Sequence, residues 1–143
     1  MNENEKLEKV KEIILDECQK AGVVVDRIIL FGSRARGDNR EDSDFDIYVI
    51  IDDDLEFSDI MNIFLKIKRG LAKLHISNDV IIRSRDIFEK NKTCIGFISY
   101  YVNKEGMNIW KKIPLNSPFN KGGNKKGGFW KEVKKVKQGE RRV

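Results

Sequence analysis

The chain has 143 residues, with 28 Lys and Arg against 23 Asp and Glu, a formal net charge of +5 and 40% hydrophobic residues, which is one domain's length with room for one modest core. Its longest apolar runs, Ile28 to Phe31 and Ile47 to Ile51, fall far short of the roughly 20 residues a membrane span needs. Cys18 and Cys94 are too few and too far apart for a disulfide scaffold or a thiolate zinc site, and one His leaves out a His-rich metal site.

The start, Met1-Asn2-Glu3-Asn4-Glu5-Lys6, is polar with no apolar stretch behind it, so no signal peptide is expected and the reducing cytoplasm is the expected compartment. Leu7, Val10, Ile14, Cys18 and Ala21 recur every three or four residues and predict an amphipathic helix over 3–21, ended by Gly22 at C′. Val23 to Phe31 is β-branched and apolar around Asp26-Arg27, which predicts a buried strand at 27–31, broken by Gly32-Ser33. Asp44 to Ile51 predicts a second strand, with Asp52-Asp53-Asp54 as its solvated turn. Ile60, Ile63, Phe64, Ile67, Leu71 and Leu74 place a second long helix over 58–74, with Ser58 as N-cap and Asp59 in the first turn.

Residues 78–82 predict a third strand and 86–90 a short helix. A helix over 95–104 is expected to end at Gly106, with Tyr100, Tyr101 and Trp110 packed on it. This order is an α/β pattern around a small sheet. Residues 1–110 carry 17 basic and 21 acidic side chains, net −4, whereas residues 111–143 carry 11 basic and 2 acidic, net +9. Both prolines, Pro114 and Pro118, and the doublets Gly122-Gly123 and Gly127-Gly128 fall in the basic piece. A domain over 1–113 and a basic, disordered tail over 114–143 are therefore expected. Because the basic charge is confined to the tail, nucleic acid is not the expected partner of the domain.

The chemistry is concentrated in Gly32-Ser33-Arg34-Ala35-Arg36-Gly37 and Ser43-Asp44-Phe45-Asp46. Glycine at a strand end lets backbone N–H groups approach an anion, and the Ser33 hydroxyl and the Arg36 guanidinium add donors for phosphate oxygens. Asp44 and Asp46, two apart on a strand, point to one face with roughly 6–7 Å between their Cα atoms, while Phe45, Ile47 and Val49 point into the core. Two like charges at that spacing have no structural use, and a hard divalent cation such as Mg²⁺ would account for them. Asp79 is the only acidic residue of the third strand, so the three carboxylates converge if that strand lies beside the second. Arg34, Arg40, Asp38 and Asp42 are read as exposed loop residues. Tyr48 shares the face of Asp44 and Asp46, either lining the site or packed.

Gly32-Ser33, Arg36-Gly37, Asp44-x-Asp46 and the later Asp79 together resemble the nucleotidyltransferase superfamily of DNA polymerase β and kanamycin nucleotidyltransferase. Over about residues 20–110, up to Glu105-Gly106, the chain looks most like the minimal nucleotidyltransferases of prokaryotes. The resemblance implies a polymerase-β-like palm, a small mixed sheet flanked by helices. It also implies that Asp44, Asp46 and Asp79 ligate two Mg²⁺ ions, with Asp79 helping to deprotonate an acceptor hydroxyl, and that Gly32, Ser33, Arg36 and Ser43 hold the nucleotide. The implied reaction is attack on the α-phosphorus of ATP, transferring AMP and releasing pyrophosphate. Minimal members often act as antitoxins that adenylylate a tyrosine of a HEPN-domain toxin, which is the partner implied here. Contact-only neutralisation and transfer to a small molecule of the aminoglycoside type remain the alternatives; for the latter, a chain of this length is expected to lack the additional helical domain.

Overall fold

The structure is a computed structural model, and it describes residues 1–113; the expected tail over 114–143 lies outside the described residues. The elements run α1 (Glu3–Lys20), β1 (Val25–Phe31), α2 (Ser33–Arg36), β2 (Phe45–Ile51), α3 (Phe57–Lys73), β3 (Asn78–Ser84), α4 (Arg85–Asn91), α5 (Ile98–Glu105) and β4 (Met107–Lys111). The four strands form one mixed sheet in the order β3-β2-β1-β4. β1 runs antiparallel to both neighbours, and β2 and β3 are parallel across the α3 connection.

The helix ends follow from local chemistry. Asn2 and Glu5 form a reciprocal capping box at the start of α1. At its end Gly22 takes φ +74, and Gly22 N–H and Val23 N–H donate to the Gln19 and Cys18 carbonyls, closing a Schellman motif. The same motif ends α3, with His75 in the left-handed region at φ 56 and Ile76 N–H on the Leu71 carbonyl.

Each sheet face carries its own apolar cluster, because side chains alternate along a strand. Ile28, Leu30, Phe45, Ile47, Val49 and Ile51 face α1 and α3, whose Val10, Ile14, Ile63, Ile67 and Leu71 complete the larger core. Ile29, Phe31, Tyr48 and Ile50 face the other way, onto Phe88 of α4 and Val102 of α5. Cys18 lies in the larger core, where burial, with Glu17 adding to it, pushes the thiol up to about 11 and leaves it unreactive. On the edge strand β3, Lys68 Nζ takes the Asn78 carbonyl at 3.0 Å and Arg83 Nη1 the Ile82 carbonyl at 2.8 Å, cationic protection against further strand pairing.

Several expectations change. Ser58 is not the N-cap of α3: the helix begins one residue earlier, Glu56 holds the cap position without a side-chain cap bond, and Ser58 lies exposed in the first turn. The last helix starts at Ile98 rather than at residue 95, because Gly96 at φ +104 breaks the chain there. β4 was not expected, and it carries Trp110 into the larger core rather than onto α5. Tyr101 is exposed and meets Tyr100 edge to face at 5.1 Å.

Candidate active site

The site forms where β1 ends and β2 and β3 begin. In the antiparallel pair, Phe31 lies opposite Asp46, and in the parallel pair Asp46 lies opposite Asp79. Residues in register on neighbouring strands point to the same face, so Asp46 and Asp79 are brought side by side. Asp44 precedes the first residue of β2 and is exposed, Asp46 is half-buried, and Asp79 is exposed. The β2–β3 register thus sets two of the three carboxylates, Asp46 and Asp79, side by side, with Asp44 two residues before Asp46 in the chain.

Burial raises the Asp46 carboxyl above its ordinary value, Asp79 and then Asp44 add to the rise, and Arg36 opposes it. Asp46 is therefore a carboxylate held close to two others in a partly dry place, where a cation would be favoured. The donor set is all carboxylate oxygen, which fits Mg²⁺. No group of three or more His, Cys, Asp or Glu among the described residues is closed at metal-ligand spacing. The strand register makes Asp46 and Asp79 neighbours.

Gly32 links the phosphate-cradle loop to this carboxylate. It adopts φ 75, ψ −156 at the start of α2, a region that essentially only glycine occupies. A Cβ there would run into the Asp46 carboxylate, 3.0 Å from its Cγ. α2 is a single turn, with Ala35 and Arg36 N–H on the Gly32 carbonyl and Gly37 at φ 87 turning the chain away. Ser33 opens this turn half-buried, and Arg36 closes it exposed.

Arg34, read as an exposed loop residue, proves to be an internal brace. Its side chain is 6% exposed. Nε and Nη2 donate to the Ser43 carbonyl at 3.0 and 2.8 Å, Nη2 also reaches the Glu41 carbonyl at 3.0 Å, and the guanidinium lies 4.1 Å over the Phe45 ring. These bonds shape the 37–44 loop that delivers Asp44. No local pattern in the sequence shows this, since the partners are backbone carbonyls seven and nine residues away. We expect Arg34→Ala to lower stability by about 2 kcal/mol in urea unfolding, from lost charged hydrogen bonds and the part-buried Ser43 carbonyl left unpaired, with Arg34→Lys recovering little because an ammonium cannot fork between the same acceptors.

Ser43 accepts the Arg40 N–H on its hydroxyl oxygen at 2.8 Å, so it stabilises the same loop. Tyr48 is fully buried, and its hydroxyl meets Ser99 Oγ at 2.8 Å; it packs below the site and does not line it. The Asp52-Asp53-Asp54 turn lies at the opposite end of β2 from Asp44. Asp52 is not simply solvated there, because Lys112 and Arg85 pair with it.

The family model described as polymerase beta, nucleotidyltransferase, matches residues 8–112. A Methanocaldococcus jannaschii protein named as a protein adenylyltransferase is 33% identical over 81 residues, covering 57% of this chain and 76% of the relative. Among solved structures, a nucleotidyltransferase from Sulfolobus solfataricus aligns with a TM-score of 0.49 at 22% identity, over 75% of this chain and 84% of that one. A toxin–antitoxin structure with AMP-PNP aligns with a TM-score of 0.46 at 18% identity, over 89% of this chain and 91% of that one. With the family match spanning the whole sheet and all three carboxylates, the chain belongs to the polymerase β nucleotidyltransferase family and is a nucleotidyltransferase.

Proposed function

We propose that this enzyme uses Mg²⁺ and ATP to transfer AMP to a protein hydroxyl, a tyrosine of a HEPN-domain toxin, and serves as that toxin's antitoxin. The observation that carries the metal-dependent reaction is the register that sets Asp46 beside Asp79, with Asp44 two residues earlier on the same chain. These three would hold Mg²⁺, which when bound supplies charge stabilisation on the attacking and leaving oxygens. Gly32, Ser33 and Arg36 hold the β- and γ-phosphates, and Ser43 adds the hydroxyl proton it retains as a donor. Asp79, at the exposed outer strand, accepts the proton of the acceptor hydroxyl as its oxygen bonds to the α-phosphorus and pyrophosphate leaves. The relative named as a protein adenylyltransferase supports a protein acceptor, and the minimal-nucleotidyltransferase pattern of the sequence supports the toxin partner and a cytoplasmic site of action.

The test is incubation of the full chain with α-labelled ATP, Mg²⁺ and a HEPN-domain protein encoded beside it. The expected result is one labelled partner band, abolished by EDTA and by changing the acceptor tyrosine to Phe. Neutralisation of the partner without any label would support contact-only action. Label on a small molecule would move the acceptor to the aminoglycoside-type class.

A further inference from the structure

We infer that Glu105 is a positioning residue for the nucleotide's phosphates, acting through Arg36. Sixty-nine residues separate the two, and the fold brings Arg36 Nη1 to Glu105 Oε1 at 3.1 Å while Arg36 Nε donates to Asp38 at 3.2 Å. The guanidinium has five N–H donors in a rigid fork. The two carboxylates engage its Nε edge and one side of Nη1, and the remaining donors on Nη1 and Nη2 stay available to an anion. Glu105 is well placed to impose this orientation because its own backbone is pinned. Gly106 follows it, donates its N–H to the Val102 carbonyl at 2.9 Å, and leaves no room for a Cβ, which would meet Ile29 Cγ2 and the Val102 oxygen. The end of α5 therefore presses directly on β1, and Glu105 projects from a fixed point.

Asp38, two residues from Arg36 and with its own N–H on the Ser33 carbonyl at 3.1 Å, holds the Nε side of the guanidinium, and Glu105 fixes Nη1 from a distant segment. Side chains 45% and 37% exposed make the Arg36–Glu105 pair a minor contributor to stability. What the pair does supply is orientation: a long arginine side chain is held before the nucleotide arrives, so less freedom is lost on binding. The inference rests on the reading of Arg36 as a phosphate ligand.

The test is calorimetric titration of ATP, in Mg²⁺ buffer, into the full chain and its Glu105→Ala, Glu105→Gln, Arg36→Ala and Arg36→Ala/Glu105→Ala variants, with thermal melts alongside. Glu105→Ala should weaken ATP by about fivefold, while Glu105→Gln, which keeps an oxygen acceptor, recovers most of the loss. The double variant should bind no worse than Arg36→Ala, since Glu105 then has nothing to position. A Glu105→Ala variant with unchanged or tighter binding, or a loss that adds fully to that of Arg36→Ala, overturns this inference alone. An Arg36→Ala variant that binds ATP like the wild type overturns the phosphate-ligand reading together with it.

Discussion

Asp46→Asn should abolish nucleotidyl transfer, by about a thousandfold or more, and yet leave a protein that melts no lower than the wild type at pH 7. The two halves of this result have one cause. Asp46 is partly desolvated and lies beside Asp79 and Asp44, so its carboxyl is raised above its ordinary value. The folded state then binds a proton more tightly than the unfolded chain. Between the ordinary and the raised value the native state carries more protons, and stability falls as pH rises through that window. Above the window the ionised carboxylate costs stability, and Asn removes the charge while keeping the shape. Below the ordinary carboxylate value Asp46 is neutral in both states, and the advantage of Asn should vanish. Paired melts of wild type and Asp46→Asn in EDTA at pH 7 and pH 3 read this directly. A variant much less stable than wild type at pH 7 would show that Asp46 is a structural partner rather than a charge kept for function.

Gly32→Ala is the second large effect, and it acts on both fold and reaction. The residue sits at φ 75, ψ −156, so an L side chain is strained there irrespective of space. Space is also lacking, because the new Cβ would collide with the carboxylate of Asp46. A stability loss of about 2 kcal/mol or more is expected from the backbone strain, together with about a hundredfold loss of transfer as Asp46 is pushed out of line. Gly22→Ala is the control: φ is +74 there too, yet nothing stands within 4 Å of the added Cβ. It should cost about 1 kcal/mol and leave transfer at the wild-type rate. Urea unfolding and single-turnover transfer on the same samples separate the two effects, and equal activity losses in both variants would remove the special role of Gly32.

Much of the site was legible in the sequence because its parts are local. Gly32-Ser33 marks a strand end, and Asp44-x-Asp46 opens the next strand. The period-2 and period-3.6 patterns then locate α1, β1, β2, α3 and β3 to within a few residues of where they stand. The weaker signals failed for physical reasons. Met107–Lys111 contains Asn108 between apolar residues and follows a glycine, so its strand character comes from pairing with β1 and not from composition. Ser58 satisfies the residue preference of a cap, yet the helix starts at Phe57 and takes Ser58 into its first turn, so preference alone did not decide the boundary.

By itself the sequence determined the chemistry available: three carboxylates, a glycine-led cradle and an arginine, in an α/β order with alternating cores. Only the tertiary structure decided who meets whom. The parallel β2–β3 register places Asp79 beside Asp46. The 37–44 loop folds back so that Arg34 is buried beneath it as a brace. α5 ends where Glu105 can hold Arg36. Each of these depends on strand register or on contacts between distant segments, which are set by the packing of the whole core, whereas the motifs needed only a few neighbouring residues.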